Sequence, residues 1–283
     1  MRKFFYTLNC YLKNIFKKFI ENEGLLLSSG IGFAAVICII PLLLLITSIF
    51  GSILNSQTAV YKQIEIFLEN FFIAKPYSSQ IRTTITSLVD EIISNRQSFS
   101  FIAIFTLIWT STNLFAFTRM SLNRIYKIEK QRSIVRNFFE DVFWVLISLT
   151  IFFIVNIVLW MYSIFESFLK LFPFLEQEVI YFTFPFFSNF VTYVLMFFVI
   201  YRYIPNERIP IKIALISSVT SASLWKFAGV LFSLYLSKFS LFGSVYGAYA
   251  FLLSAFIWVY YSCITFLVGA EVGQIYKERS SNK

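Results

Sequence analysis

The sequence has no histidine among its 283 residues, only three cysteines and only 14% charged residues. Without histidine there can be no Ser-His-Asp triad, no Cys-His pair, no HExxH zinc motif and no imidazole acid-base chemistry. Cys10, Cys38 and Cys263 are far apart and form no CxxC, so neither a zinc site nor a disulfide framework is indicated. Each reads as a small apolar side chain. Gly-rich phosphate loops, paired-carboxylate sites and low-complexity tracts are also missing. The expectation is a protein without metal, cofactor or enzymatic activity. A soluble domain carries about 25% charge, and a chain that is 58% hydrophobic cannot cover a globular surface with polar groups. The same figures exclude disorder.

What the chain has instead is long apolar runs. A transmembrane helix needs about 20 apolar residues to cross about 30 Å of hydrocarbon. From Gly24 to Tyr61 there is no charge, and Leu25 to Leu54 is the apolar part. Gln97–Thr118, Val142–Phe165 and Val179–Tyr201 are further uncharged runs of 22, 24 and 23 residues. Between Lys212 and Lys238 only Lys226 interrupts, and Phe239–Ala270 adds 32 more. These runs predict an all-α, polytopic membrane protein with six transmembrane helices. Barrel strands would instead alternate in polarity over about 10 residues. The first run is too long for the h-region of a cleaved signal peptide and lacks a small-x-small site behind it.

Lys and Arg counts predict the orientation. The N-terminal segment, the second and fourth loops and the C-terminal tail hold 17, while the odd-numbered loops hold 6. By the positive-inside rule the N- and C-termini are cytoplasmic. The net charge of +9 then belongs to juxtamembrane segments facing the anionic cytoplasmic leaflet. Membrane lipids are the expected partner, and no nucleic acid is.

The whole of 1–283 reads as a single membrane domain. Residues 1–24 carry Phe4, Phe5, Leu8, Tyr11, Leu12, Ile15, Phe16 and Phe19 on one stripe, with Lys13, Lys17 and Lys18 off it. That pattern predicts an amphipathic helix in the cytoplasmic interface, packed or not against the span ends. Residues 25–276 form the six-helix bundle, and 277–283 the tail. The outer loop 55–97 repeats helical spacing on either side of Lys75-Pro76, predicting a helical cap between spans 1 and 2.

Few polar groups lie inside the spans. Lys226 is 14 residues past Lys212 and 12 short of Lys238, about 21 Å and 18 Å along a helix. An ammonium there costs about 3 kcal/mol or more, and no span contains an acid to pair with it. Two readings stand: an aqueous cavity that admits an anion, or a lysine satisfied by carbonyls and hydroxyls at a helix interface. Pro41 is predicted to kink the first span by freeing a carbonyl. Asn113, Asn156 and Asn189 are central amides, expected to bond between helices or, less favoured, to line a path. Small residues pattern the fifth span, and Gly243-x-x-x-Gly247 and Gly269-x-x-x-Gly273 bracket the sixth. Spacing of this kind lets helix backbones touch, within one chain or between copies in a homo-oligomer. Glu271 is expected at the cytoplasmic edge, paired with a loop arginine.

Several stretches together resemble the YihY/BrkB family of bacterial inner-membrane proteins. They are Tyr201-Arg202-Tyr203-Ile204-Pro205-Asn206, Leu224-Trp225, Phe232-Ser233-Leu234-Tyr235-Leu236, Val245-Tyr246-Gly247-Ala248 and Gly269-Ala270-Glu271. Upstream, Ser121-Leu122-Asn123-Arg124-Ile125-Tyr126 and Pro41-Leu42-Leu43-Leu44-Leu45 fit the same pattern. The resemblance covers Leu25 to Glu271 and implies a six-helix, multi-pass protein of the bacterial inner membrane. It implies a role in envelope resistance or in export of a solute or lipid. Asn123, Arg124, Tyr126, Pro205, Asn206, Tyr246 and Glu271 are the motif positions. Many members are labelled ribonuclease BN, an activity this chain lacks the histidines and acidic metal cluster to support. Where the family pattern has Glu after the Trp of Leu224-Trp225, this chain has Lys226. The reading is a transporter or exporter, with a non-catalytic structural protein of the envelope as the alternative.

Overall fold

The computed structural model describes residues 2–54, 96–130, 132–133, 135–144, 146–147, 150 and 177–281. All regular structure among them is helical. We label the helices α1 (Arg2–Glu21), α2 (Gly24–Leu54), α3 (Arg96–Ile125), α4 (Gln177–Tyr203) and α5 (Ile211–Ser281). A further helical stretch occupies 135–144. The expected cap at 55–97, most of the third span and Asn156 lie outside the described residues.

The helices cover the runs that lack charge, as helix-forming Leu, Ile, Phe and Ala stretches must when no water can serve their backbone. Among the described residues, two helical segments are long and apolar enough to cross a membrane, Ile211–Tyr235 and Leu253–Ser280. A third is added if the bent pair Lys13–Glu21 and Gly24–Ile39 counts as one span. The outer surface is apolar: Phe33, Phe105, Trp109, Leu195, Phe227 and Leu253 are all exposed. A water-facing surface of that kind would aggregate, whereas lipid tails accept it.

Helix α5 doubles back on itself. Ser221 Oγ lies within hydrogen-bond reach of Phe266 O, 45 residues on, although a straight helix would separate them by about 68 Å. Its two limbs, Ile211–Tyr235 and Leu253–Ser280, therefore run antiparallel. Gly269 and Gly273 are the reason they pack so closely. A Cβ added at Gly269 would lie 2.8 Å from Ser217 O, and one at Gly273 would lie 3.3 Å from Ile213 O. Their small-residue partner is thus this chain's own first limb. The side-chain surroundings of Gly243, Gly247 and Tyr246 lie outside the described residues.

The sharp bend near the start of the chain falls between α1 and α2, at 67°. Glu23 turns left-handed there (φ 58°), and its N–H bonds Ile20 O at 2.9 Å. Gly24 follows because the buried ring of Phe19 folds over it, leaving a Cβ 2.6 Å from Phe19 Cζ. The kink expected at Pro41 does not break the helix: α2 is helical through it, and the proline is buried.

Candidate functional site

The helix ends gather at one end of the bundle, and sequence chemistry explains how. Helix α3 closes with a Schellman-type turn: Ile128 N–H bonds Asn123 O at 2.9 Å and Lys127 N–H bonds Arg124 O at 3.2 Å. Lys127 takes the left-handed position (φ 53°) where glycine is commonest. This turn buries Tyr126 and frees the amide of Asn123, which accepts the backbone N–H of Asn206 at 2.9 Å. Asn206 in turn donates from Nδ2 to Lys130 O at 2.8 Å and accepts from Arg132 at its carbonyl. Pro205 beside it is fully buried. Asn123, Pro205 and Asn206, distant in sequence, thus form one joint between the end of α3 and the α4–α5 connection.

Beneath that joint lies a buried polar layer. Tyr126 Oη and Ser217 Oγ are 3.0 Å apart. One turn deeper, Tyr201 Oη lies 2.6 Å from Ser221 Oγ and donates to Phe266 O at 2.6 Å. The Tyr201 ring stacks on Phe266 with centroids 4.9 Å apart. Burial pushes the Tyr126 phenol well above its ordinary range, Ser217 opposes this, and the nearby Glu271 adds to it.

Glu271 corrects an expectation. Rather than pairing with a loop arginine at the edge, it is wholly buried. Its Oε1 accepts from Asn22 Nδ2 at 2.6 Å, and Oε2 has no partner among the described residues. The cause is the close packing at Gly269 and Gly273, which draws the second limb inward, while the α1–α2 bend places Asn22 above it. Arg124, the arginine among the motif positions, pairs with Glu23 at 2.9 Å. Three residues on, Gln274 donates to Glu278 at 3.3 Å, and its Oε1 is also buried without a partner. Glu278 holds Lys18 of α1 and, at 3.0 Å, Lys127. The Arg279 guanidinium lies 4.4 Å from the Tyr11 ring centroid. The N-terminal helix is therefore docked on the end of the second limb.

Other expectations fare differently. Lys226 is half-buried, with Nζ 5.7 Å from the Phe190 ring centroid. Its neighbour Trp225 donates to Ser262 Oγ at 2.9 Å. Asn113 is exposed among the described residues of α3, whereas Leu107, Thr110 and Ser111 are buried there. The side chain of Asn189 lies outside the described residues. Sequence reading missed Asn22 and Gln274, quoted Tyr201 only within a family stretch, and counted Arg119 among loop charges. Arg119 is buried and pairs through both nitrogens with the buried Asp141, NH2 to Oδ2 being 2.9 Å. Burial pushes the Asp141 carboxyl up, and Arg119 pulls it back. A visible signal existed for Gln274, which stands one turn from Glu271.

The virulence factor BrkB family matches residues 15–283. The chain belongs to that family. Among its relatives, a UPF0761 membrane protein of Legionella pneumophila is 25% identical over 95% of this chain and 62% of its own length. One from Pseudoalteromonas atlantica is 26% identical over 93% of this chain and 86% of its own. One from Psychromonas ingrahamii is 26% identical over 89% and 82%. This BrkB-family chain thus spans under two thirds of the Legionella relatives it matches. No solved structure matches it. With its apolar helices and these relatives, it is a membrane protein. Of the motif residues quoted from the sequence, Asn123, Pro205 and Asn206 build the joint, and Tyr126 and Glu271 lie buried beneath it.

Proposed function

We propose that this BrkB-family protein is a six-span, multi-pass protein of the bacterial inner membrane that transports or exports a small solute or lipid-like substrate. The supporting observation is the buried Glu271 carboxyl with an open oxygen, set where α1 hinges onto α2. An ionisable group in such surroundings is costly and is a functional-site hypothesis by default. A purely structural contact gains nothing from it. Both ends of the chain lie on the cytoplasmic face in this reading. Its support is that α1, the end of α3, the α4–α5 connection and the end of α5 meet through Lys18, Lys127, Asn206 and Glu278. The four segments they belong to hold 17 of the 24 Lys and Arg, and their partner is the anionic leaflet. The exposed Phe16 and Ile20 of α1 then rest in the lipid interface. The route for substrate runs past Lys226, Asn113, Asn156 and the first span beneath the outer cap. The activity is transport, not catalysis.

Liposomes containing the purified chain test this with a panel of anions, zwitterions and lipids. Wild type is expected to move at least one class, and Lys226→Met and Glu271→Gln to lower that rate. Absence of transport for every class would reject the reading. The second reading, a non-catalytic scaffold of the envelope, draws on the interlocked Gly269–Ser221 and Gly273–Ser217 seam. It predicts that Lys226→Met and Glu271→Gln leave cellular function intact.

A further inference from the structure

Glu271 and Gln274 share more than a helix face. Glu271 is 0% exposed and Gln274 is 4% exposed. Each uses one side-chain atom toward the α1 corner, Glu271 to Asn22 and Gln274 to Glu278, which itself holds Lys18. Residues three apart on a helix are neighbours on its surface. Each is left with one buried oxygen that has no donor, Glu271 Oε2 and Gln274 Oε1. A carboxylate and an amide oxygen both only accept. Two orphan acceptors one turn apart on α5 can both be satisfied by a single hydrogen, bound to one and donated to the other.

We propose that Glu271 and Gln274 form a buried proton-binding site, in which protonated Glu271 donates from Oε2 to Gln274 Oε1. The surroundings favour a proton over a metal ion. Lys18 and Lys127 approach from α1 and the end of α3, and Glu278 on the same helix engages both. Arg124 is held by Glu23, and Tyr126 is turned to Ser217. No cation forms an ion pair with Glu271 among the described residues. A metal cation would need a full shell of oxygen ligands beside two ammonium groups, whereas the pair offers two open oxygens. Loss of the proton leaves a bare buried carboxylate, which Lys18 would leave Glu278 to neutralise. Proton occupancy and the docking of α1 are thereby linked. The site deepens the transport reading by making the proton its coupling ion, and in that respect rests on it.

Infrared titration of the full chain in lipid nanodiscs, with and without sodium, tests the site. A carbonyl band of a protonated carboxylic acid is expected at neutral pH, unaffected by sodium and absent from Glu271→Gln. In Gln274→Leu the band should titrate away at a pH lower by about one unit, the worth of one hydrogen bond. A band that survives in Glu271→Gln, or one that sodium abolishes, overturns the proposal. Should Glu271→Gln not fold, the Gln274→Leu titration decides alone, and an unshifted midpoint overturns it. If the band behaves as expected but liposomes transport nothing, only the transport reading falls. If transport persists without the band, only the proton site falls.

Discussion

The hydroxyl of Ser221 occupies the space that a side chain on Gly269 would need, and it donates to Thr265 O at 3.2 Å. The serine thus fills a groove and satisfies itself on the opposing helix in one move. The same arrangement repeats one turn away between Ser217 and Gly273, with Tyr126 as the serine's partner. Lipid supplies no hydrophobic drive for helices to associate, so close backbone approach and bonds of this kind hold the hairpin.

Gly269→Val should therefore fail to fold or lose about 1–3 kcal/mol of stability, the usual range for overpacking. Gly269→Ala should be milder, and Ser221→Gly in the same chain should restore part of the loss. A double-mutant cycle on thermal unfolding in detergent reads the coupling. Independent, additive effects would show that the seam is not the contact described.

Arg119 and Asp141 form a buried two-pronged pair. Breaking it from one side leaves a lone charge, so Arg119→Met or Asp141→Leu should each destabilise by about 3–5 kcal/mol. Replacing both with apolar residues should recover much of that. Equal losses in the single and double variants would mean the pair is not the source of stability.

Asn206 spans the joint with its backbone N–H, its carbonyl and its side-chain Nδ2 all engaged. Asn206→Leu keeps the branched outline of the side chain but removes the amide donor, and about 1–3 kcal/mol should go with it. Limited proteolysis within 204–210 is expected to speed up, whereas Asn206→Ser should be intermediate. An unchanged cleavage rate would contradict the joint.

The docking of α1 predicts a specific crosslink. Cysteines placed at Lys18 and Glu278, whose side-chain tips meet, should be joined by a short thiol-specific crosslinker that spans the length of the replaced side chains, a gap too wide for a direct disulfide. Gly24→Leu, which would drive a side chain into Phe19, should abolish the crosslink while leaving the α5 hairpin intact. Persistence of the crosslink in Gly24→Leu would mean the corner does not depend on that glycine.

How much of this was legible in advance depends on the range of the interaction. Residues 25–54, 97–118 and 179–201 read as helices from their uncharged, apolar character, and the structure places α2, α3 and α4 over them. The same reading singled out Lys226 inside a span and set Glu271 at the cytoplasmic edge, paired with a loop arginine. It gave Glu271 the wrong neighbour, because the competitor for its carboxylate, Asn22, is 249 residues away.

Composition and run length by themselves determined that this chain lives in lipid, since a helix backbone without water must bond within itself and present apolar side chains outward. They also set where the helices run and where positive charge collects. Only tertiary structure decided which groups share the interior. The reversal of α5 pairs the glycines with this chain's own serines. The α1–α2 bend brings an asparagine to the buried carboxyl. Both are consequences of long-range packing, where local periodicity carries no information about the partner.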